Sequence, residues 1–383
     1  MVTVPAARIL LVTTQEARAS DIEDILDTSQ RLILLPVEPG EAVDELNRVG
    51  ADIVIVNAED LGESEIAMLS ELREQVPDVP VIVASQQLSP KQTRNLFNLN
   101  IQDWLCKPLE ANDLMEAIAT AVKASKATHN RVHAVISTVG GVGASTVALS
   151  MADLAATKLF RKKNVSVALF DLDFSTGNCS YLLNMVNDFN LGSVASAPRR
   201  IDAEFLRVIQ QQHEHGFYIY SFKRPELNTE LNGYELVLRM LDAVSVEHDI
   251  TILDIPYYET EWKKDILSEV NSCTLVTELN LPALRHTLEL VELLREMRGE
   301  KFNVSVVFNK WQSSLFGQRI GKRKIKELLG DVPTYQLPND MGLLGESMDR
   351  GVPPSEISSS AGFLKRLTKY MSSIGLDSLQ EAR

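Results

Sequence analysis

The sequence predicts an α/β protein built from two doubly wound parallel-sheet domains. Short apolar runs rich in β-branched residues alternate with helical patterns along most of the chain. A polar stretch at 126–131 interrupts this alternation and predicts a linker between the domains. Directly after it, a glycine-rich turn follows a predicted strand and opens a predicted helix.

The first domain, residues 1–125, is predicted to contain five strands. Because these strands are almost continuously apolar, they indicate a parallel sheet that helices cover on both faces. Five strand–helix units in a domain of this length fit a flavodoxin-like fold. The predicted strands are Arg8–Val12, Arg31–Val37, Asp52–Val56, Val79–Ala84 and Ile101–Leu105.

The second domain, residues 132–383, continues the same alternation with seven predicted strands. Their spacing leaves room for helices between them, which again favours a parallel sheet. The predicted strands are Val132–Ile136, Ser166–Phe170, Phe217–Tyr220, Ile250–Leu253, Thr274–Val276, Val304–Phe308 and Thr334–Leu337.

Composition and charge narrow the functional classes. Hydrophobic residues make up 45% of the 383 residues and charged residues 23%, which is typical of a globular protein. The formal net charge of -14 argues against non-specific nucleic-acid binding as the main role. The three cysteines form no CxxC pair, and no apolar run reaches the ~20 residues of a membrane-spanning helix. We therefore expect a cytoplasmic protein, attached to a membrane at most peripherally.

The glycine-rich turn predicts a phosphate-binding loop at the start of a helix. Glycines let the backbone curl with its N–H groups facing inward, and a helix N-terminus adds a favourable dipole for an anion. Ser145 is the candidate hydroxyl ligand of Mg²⁺. A turn that binds nothing stays open as the alternative at this point. The predicted nucleotide-binding residues of the loop are Gly140, Gly141, Val142, Gly143, Ala144, Ser145 and Thr146.

Carboxylates at two strand ends strengthen this interpretation. Asp171 and Asp173 follow the predicted strand Ser166–Phe170, and Asp254 follows Ile250–Leu253. Carboxylates near a phosphate loop are suited to holding Mg²⁺ and the attacking water. Each aspartate alone could instead be a helix cap or a turn residue.

The order of these motifs resembles the MinD/ParA branch of P-loop proteins. That family carries KGGVGK followed by Ser or Thr and then Thr, whereas this chain has Val139 and Ala144 at the two lysine positions. The Gly-Ala-Ser-Thr ending and the two-domain order are similar to the CpaE/TadZ subgroup, which positions tight-adherence (Flp) pilus machinery. The resemblance implies that Asp173 orients the attacking water and that Asn309 contacts adenine. It also implies that Asp171 and Asp254 act, with Ser145, at Mg²⁺.

The resemblance implies a homodimer that binds ATP and Mg²⁺ and positions a Flp (Tad) pilus or related secretion machinery, including a secretion ATPase. Because two cations are missing from the loop, we expect weak or absent ATP hydrolysis. Lys310 is one residue that could supply a replacement charge. We expect a cytoplasmic protein, at the cell pole or peripherally at the inner membrane. The alternatives are a ParA-type partition ATPase acting on DNA and a MinD-like membrane-associated ATPase.

The end of the first domain resembles a response-regulator receiver, in which a lysine before a proline contacts a phosphoryl group. Lys107 precedes Pro108 here, but Asn57 stands where the phosphoacceptor aspartate would be. Because an amide is a poor nucleophile, we expect a pseudo-receiver that serves as a docking or dimerisation module.

Three further segments leave alternatives open. The basic run at 319–326 fits either a nucleic-acid contact or a solvated helix face. The apolar stripe of 363–374 fits either a peripheral membrane contact or a helix packed on its own domain. His213 and His215 would point to opposite faces of an extended chain, so a shared ligand role is not expected.

Overall fold

The structure is a computed structural model that describes residues 7–14, 17–26, 32–77, 79–161, 165–195, 197–201, 203–222, 233–312 and 320–377. It divides into two compact units, with the boundary between His129 and Asn130. Each unit is built on its own sheet, and strand pairing is parallel throughout except at one short edge strand. The predicted fold class is therefore confirmed.

The first unit has five parallel strands in the order β2-β1-β3-β4-β5, which is a doubly wound order. Apolar clusters lie on both faces of this sheet, and every residue of β3 and β4 is buried. The strands are β1 (Ala7–Thr13), β2 (Leu32–Val37), β3 (Ile53–Asn57), β4 (Val81–Ser85) and β5 (Asp103–Cys106). The helices are α1 (Ser20–Leu26), α2 (Ala42–Val49), α3 (Glu63–Gln75), α4 (Pro90–Asn98) and α5 (Ala111–His129), with a 3-10 turn at Pro39–Glu41.

The connection between the units differs from the sequence prediction. Residues 126–129, which the composition places in a linker, continue α5 as far as His129. The next strand already begins at Arg131. The stretch is polar but contains neither glycine nor proline, so nothing in it breaks a helix that is already formed.

The second unit contains eight strands and eleven α-helices within the described ranges. The strands are β6 (Arg131–Ser137), β7 (Val167–Asp171), β8 (Gln211–Gln212), β9 (Tyr218–Tyr220), β10 (Ile250–Ile255), β11 (Ser272–Thr277), β12 (Val304–Trp311) and β13 (Thr334–Pro338). The first helices are α6 (Ala144–Leu154), continued by a π-helical turn at Ala155–Leu159, α7 (Cys179–Leu182), α8 (Gly192–Ala195), α9 (Ala203–Ile209), α10 (Tyr234–Glu247) and α11 (Lys263–Glu269). The others are α12 (Leu281–Arg298), α13 (Lys322–Leu329), α14 (Met341–Arg350), α15 (Pro354–Ser358) and α16 (Gly362–Ser373), and a 3-10 turn covers Pro198–Arg200.

The strand order of the second sheet is β13-β12-β11-β6-β10-β7-β9-β8. All pairs are parallel except that of β8 with β9, and the two-residue β8 was not predicted. Strand β6 lies between β10 and β11, while β7 lies beyond β10. Because the carboxyl ends of parallel strands share one edge, the loops after β6, β7, β10 and β12 converge there. In open α/β sheets this edge is where ligands bind.

Helix α16 packs against the second sheet. Its apolar residues Phe363, Leu364, Leu367 and Met371 are buried in the core around α6. The Tyr370 hydroxyl shares hydrogen bonds with the hydroxyls of Thr274 and Ser305, at 2.6 Å for Ser305. The packed-helix interpretation of 363–374 therefore fits the structure, and membrane contact would require this face to leave the core. Across the described ranges, none of the helices combines the length and apolar character needed to span a bilayer.

Truncating this face tests how much α16 stabilises the second unit. Leu367→Ala should lower the free energy of unfolding by about 2–5 kcal/mol, because it leaves a cavity in a close-packed core. Lys369→Ala, on the exposed side of the same helix, should change it by less than about 0.5 kcal/mol. Urea unfolding followed by circular dichroism measures both. Equal effects of the two substitutions would show that the stripe is not a core element.

Candidate functional site

The phosphate loop connects β6 to α6. Gly141 and Gly143 have φ angles of 80° and 86°, in the left-handed region that favours glycine. Gly143 is the N-cap of α6 and, within the described part of the chain, no side chain caps this helix start. The first N–H groups of the helix are therefore free of a side-chain competitor and can face an anion. Val142 is buried and anchors the loop to the core.

A buried group of hydroxyl, thiol and carboxylates lies beside this loop. Ser145, in the first turn of α6, hydrogen-bonds through its side chain to the Asp254 carboxylate at the end of β10. The Cys179 thiol lies 3.6 Å from Asp254 Oδ2. The neighbouring Asp171 Oδ2 accepts the Cys179 N–H at 3.1 Å and the Ser221 hydroxyl at 2.8 Å. The fold thus brings together Ser145, Asp171 and Asp254, the three residues that the sequence predicts as Mg²⁺ ligands.

Burial sets the electrostatics of this group. Burial, together with the charge of the nearby Asp171 carboxylate, raises the pKa of Asp254 to about 7. Burial likewise raises the pKa of Asp171 to about 6, against the hydrogen bonds that lower it. It also raises the pKa of the Cys179 thiol well above its ordinary value, so this group stays a protonated donor.

These residues fit a hard divalent cation. One donor atom each from Asp171, Cys179 and Asp254 lies within 4.8 Å of the other two. Mg²⁺ prefers carboxylate and hydroxyl oxygens, so the two carboxylates and Ser145 are the suitable ligands and the thiol is not. Two buried oxygens, Asn309 Oδ1 and Thr138 Oγ1, have no hydrogen-bond partner among the described residues. Both are therefore candidate hydrogen-bonding groups for a ligand.

Asp173, the predicted catalytic residue, is engaged in a turn. Its carboxylate accepts the N–H groups of Ser175 and Thr176 at 3.1 and 2.6 Å, and the Thr176 hydroxyl at 2.7 Å. The Tyr258 hydroxyl adds a bond of 2.6 Å. A water-orienting role would require Asp173 to release some of these donors. The catalytic assignment stays a prediction.

Asn309 and Lys310 hold the phosphate loop from the end of β12. The Asn309 amide donates to the Val142 carbonyl at 2.8 Å, and the Lys310 ammonium donates to the Gly141 carbonyl at 2.7 Å. A Cβ on Gly143 would lie 2.6 Å from Asn309 Nδ2, so only glycine fits there. Lys310 has a φ of 52°, which costs a non-glycine residue about 1–2 kcal/mol. The contact of Asn309 with the loop backbone was not foreseen from sequence.

The two positions that lack lysine carry no substitute charge of their own. Ala144 is buried, and Val139 is partly buried against the apolar cluster around α6. Thr146 is partly buried in the first turn of α6. Gly140 lies under the Tyr257 ring, whose nearest carbon would be 3.3 Å from an added Cβ.

In the first unit, Asn57 is fully buried at the end of β3 and donates to the Arg18 carbonyl at 2.9 Å. Lys107 follows β5 and pairs with Glu59 at 3.4 Å. A hydrogen bond from Gln86 and the Lys107 charge both lower the pKa of Glu59. The carboxylate near Lys107 is thus Glu59, two residues beyond the position that the sequence analysis singled out.

The expectation that His213 and His215 point to opposite faces was wrong, because the chain turns there. The Gly216 N–H donates to the His213 carbonyl at 2.8 Å, and the two rings lie 4.9 Å apart. His215 Nδ1 lies 2.6 Å from the buried carboxylate of Asp153 on α6. The pair thus ties the turn between β8 and β9 to the helix that follows the phosphate loop.

No protein-family model matches this chain, and no curated protein matches it. Solved structures do. A ParA-family ATPase from Chlorobium tepidum TLS aligns with a TM-score of 0.55 and 20% identity, over 63% of this chain and 97% of the other. MinD, the septum site-determining protein from Pyrococcus horikoshii OT3, complexed with Mg-ADP, aligns with a TM-score of 0.50 and 16% identity, over 65% and 99%.

The MinC:MinD cell division complex from Aquifex aeolicus aligns with a TM-score of 0.50 and 17% identity, over 66% of this chain and 99% of the other. Part of this chain therefore has the fold of these MinD and ParA-family structures. At such identities the likeness concerns the fold.

The raised pKa of Asp254 predicts a pH-dependent stability in protein free of nucleotide and metal. Its folded value, about 7, lies above the ordinary 3.8, so the folded state binds the proton more tightly. The associated stability is present below about pH 4 and is lost as the pH rises to about 7. Asp254→Asn should therefore stabilise the second unit at pH 8, by a gain on the order of a few kcal/mol, and change little at pH 4.

Urea unfolding in the presence of EDTA at both pH values measures this gain. Asp349→Asn, an exposed aspartate on α14, is the matched control and should have no effect at either pH. Equal stability of Asp254→Asn and the wild type at pH 8 would contradict the buried-carboxylate account.

Proposed function

We propose that this protein binds ATP with Mg²⁺, hydrolyses it weakly or not at all, and positions other machinery. The fold and the site support the ATP-binding part. The motif resemblance to the CpaE/TadZ proteins suggests the cargo, a Flp (Tad) pilus or related secretion apparatus. The protein would act as a homodimer and contact a secretion ATPase of that apparatus.

One arrangement carries the proposal: an uncapped helix start after Gly143, with the Ser145–Asp254 pair at its side. The N–H groups of the loop would hold the phosphates, and Ser145, Asp171 and Asp254 would hold the metal. Bound Mg²⁺ supplies positive charge that neutralises the phosphate oxygens. The MinD neighbour from Pyrococcus horikoshii, which carries Mg-ADP, has the same fold.

Weak hydrolysis follows from what the loop lacks. Phosphoryl transfer depends on positioning and on charge stabilisation of the transition state. Removing one preorganised contact of this kind typically slows catalysis by about 10²–10³. Here Val139 and Ala144 remove two, while Asp173 is bound to its own turn and to Tyr258. Binding depends more on the backbone and is retained.

The first unit is proposed to be a pseudo-receiver that docks a partner or a second copy. Its flavodoxin-like strand order and the position of Lys107 near Glu59 support this. Asn57 offers no nucleophilic carboxylate for a phosphoryl group, which argues for docking rather than phosphorylation. The place of action would be the cytoplasm, at the pole or at the inner membrane.

Calorimetry with the full chain tests the proposal. Mg-ATP at millimolar concentration should give saturable heat, and EDTA should weaken it. Ser145→Ala should lower affinity by about tenfold, mainly in the magnesium-dependent part, because it removes one metal ligand and one partner of Asp254. Ser372→Ala, an exposed serine at the end of α16, should have no effect.

Phosphate release by the same preparation should stay well below ~1 s⁻¹, the low end for phosphoryl-transfer enzymes. An absence of ATP binding would overturn the proposal outright. Turnover near 1 s⁻¹ would leave nucleotide binding intact and refute the weak-hydrolysis part.

Two alternative functions require surface features that can be compared with the structure. A ParA-type partition ATPase needs a free basic surface, but Arg323 and Lys324 on α13 both pair with Glu327, and Arg319 lies outside the described residues. ATP-dependent, salt-sensitive DNA binding would favour it.

A MinD-like membrane ATPase needs an accessible apolar helix, whereas the stripe of α16 is buried. ATP-dependent sedimentation with anionic liposomes would favour that alternative.

A further inference from the structure

A β-bulge at the end of β12 re-aims two side chains toward the phosphate loop. The register between β12 and β13 shifts between Phe308 and Trp311. Lys310, inside the shift, takes a left-handed φ of 52° that non-glycine residues rarely adopt. Bulges typically redirect side chains at functional sites. The redirected side chains here are those of Asn309 and Lys310, which donate to successive loop carbonyls.

The bulge places the Lys310 ammonium beside a loop that has no lysine of its own. The Lys310 ammonium lies 2.7 Å from the Gly141 carbonyl, and its side chain remains 42% exposed. Gly141 belongs to the segment whose N–H groups face an anion in the proposed function. A lysine at this place can exchange its carbonyl contact for a phosphate oxygen without leaving the site, since its four-carbon stem is flexible.

Among the described residues, the Glu278 carboxylate pairs with this ammonium. Glu278, just after β11, lies 2.7 Å from Lys310 Nζ, and its side chain is 31% exposed. The pair is thus open to solvent, where ion pairs are weak and readily exchanged. A triphosphate carries more negative charge than one carboxylate and offers several strong acceptors. It should therefore compete successfully for the ammonium.

We propose that Lys310 supplies the cationic phosphate contact of this site, in place of the two lysines missing at Val139 and Ala144, and that Glu278 restrains it until nucleotide binds. The inference rests on the proposed nucleotide binding. It adds a residue from a different strand to the site and a built-in competitor. A solvated lysine with an incidental ion pair would not account for the bulge, the left-handed backbone and the contact with the loop together.

The test compares Mg-ATP affinity of the wild type, Lys310→Met and Glu278→Gln by calorimetry on the full chain. Lys310→Met removes the charge and should weaken ATP binding about 10- to 100-fold, the range of one charge-assisted hydrogen bond. Glu278→Gln removes the competitor and should strengthen it several-fold. AMP, which lacks the outer phosphates, should respond little to either substitution. Lys264→Met, an exposed lysine on α11, is the matched control.

Lys310→Asn provides a second charge-free variant, since asparagine tolerates the left-handed conformation and guards against a folding defect. Its ATP affinity should match that of Lys310→Met. If the wild type binds ATP and both variants bind it equally well, the inference is overturned while the proposed function stands. If the wild type binds no ATP, both are overturned.

Discussion

The proposed phosphate site depends on the contacts that hold its loop against β12. A loop of glycines has many conformations to lose, and only a fixed one can present converging N–H groups. Asn309 donates to the Val142 carbonyl and so fixes the orientation of that peptide group, and Lys310 donates to the Gly141 carbonyl beside it. The fit is close enough that no side chain is accommodated at Gly143.

Two electrostatic features of the site favour a ligand that combines a metal ion with a phosphate. Asp171 and Asp254 are buried close to each other, and burial raises the pKa of both carboxyl groups. The charge of Asp171 also raises the pKa of Asp254, because two negative charges repel each other. A divalent cation would remove this repulsion, and a phosphate would meet the uncapped N–H groups of α6. The cation would thus neutralise the carboxylates, and the phosphate would accept hydrogen bonds from the helix N-terminus. Under the proposed function, nucleotide binding would therefore persist without the loop lysines.

Much of the architecture was predictable because each buried strand carries its own signal. Twelve of the thirteen strands in the described ranges were anticipated, and only Gln211–Gln212 was missed, since two residues show no periodicity. The polar composition of 126–129 predicts a linker, whereas α5 continues to His129 because nothing in this stretch stops a helix. Local sequence reports propensity, but the end of an element depends on packing.

The residues of the candidate site stand out in the sequence, but the contacts between them do not. Glycines after a strand and aspartates at strand ends identify the loop and the carboxylates from spacing alone. The pairing of Lys310 with Glu278 joins β12 to the residue that follows the neighbouring strand β11, and no sequence spacing predicts it. The turn that occupies Asp173 likewise depends on Tyr258, far along the chain. Such contacts depend on the order of the strands in the sheet, which cannot be read from the spacing of residues in the sequence.

Backbone exchange tests the central claim most directly, because the claim concerns amides rather than side chains. Hydrogen–deuterium exchange of the segment 139–146 would be compared with and without saturating Mg-ATP. The account predicts that exchange slows in this segment, since an amide bonded to a phosphate oxygen opens less often. Unchanged exchange at 139–146, with protection elsewhere in the second unit or nowhere, would contradict it.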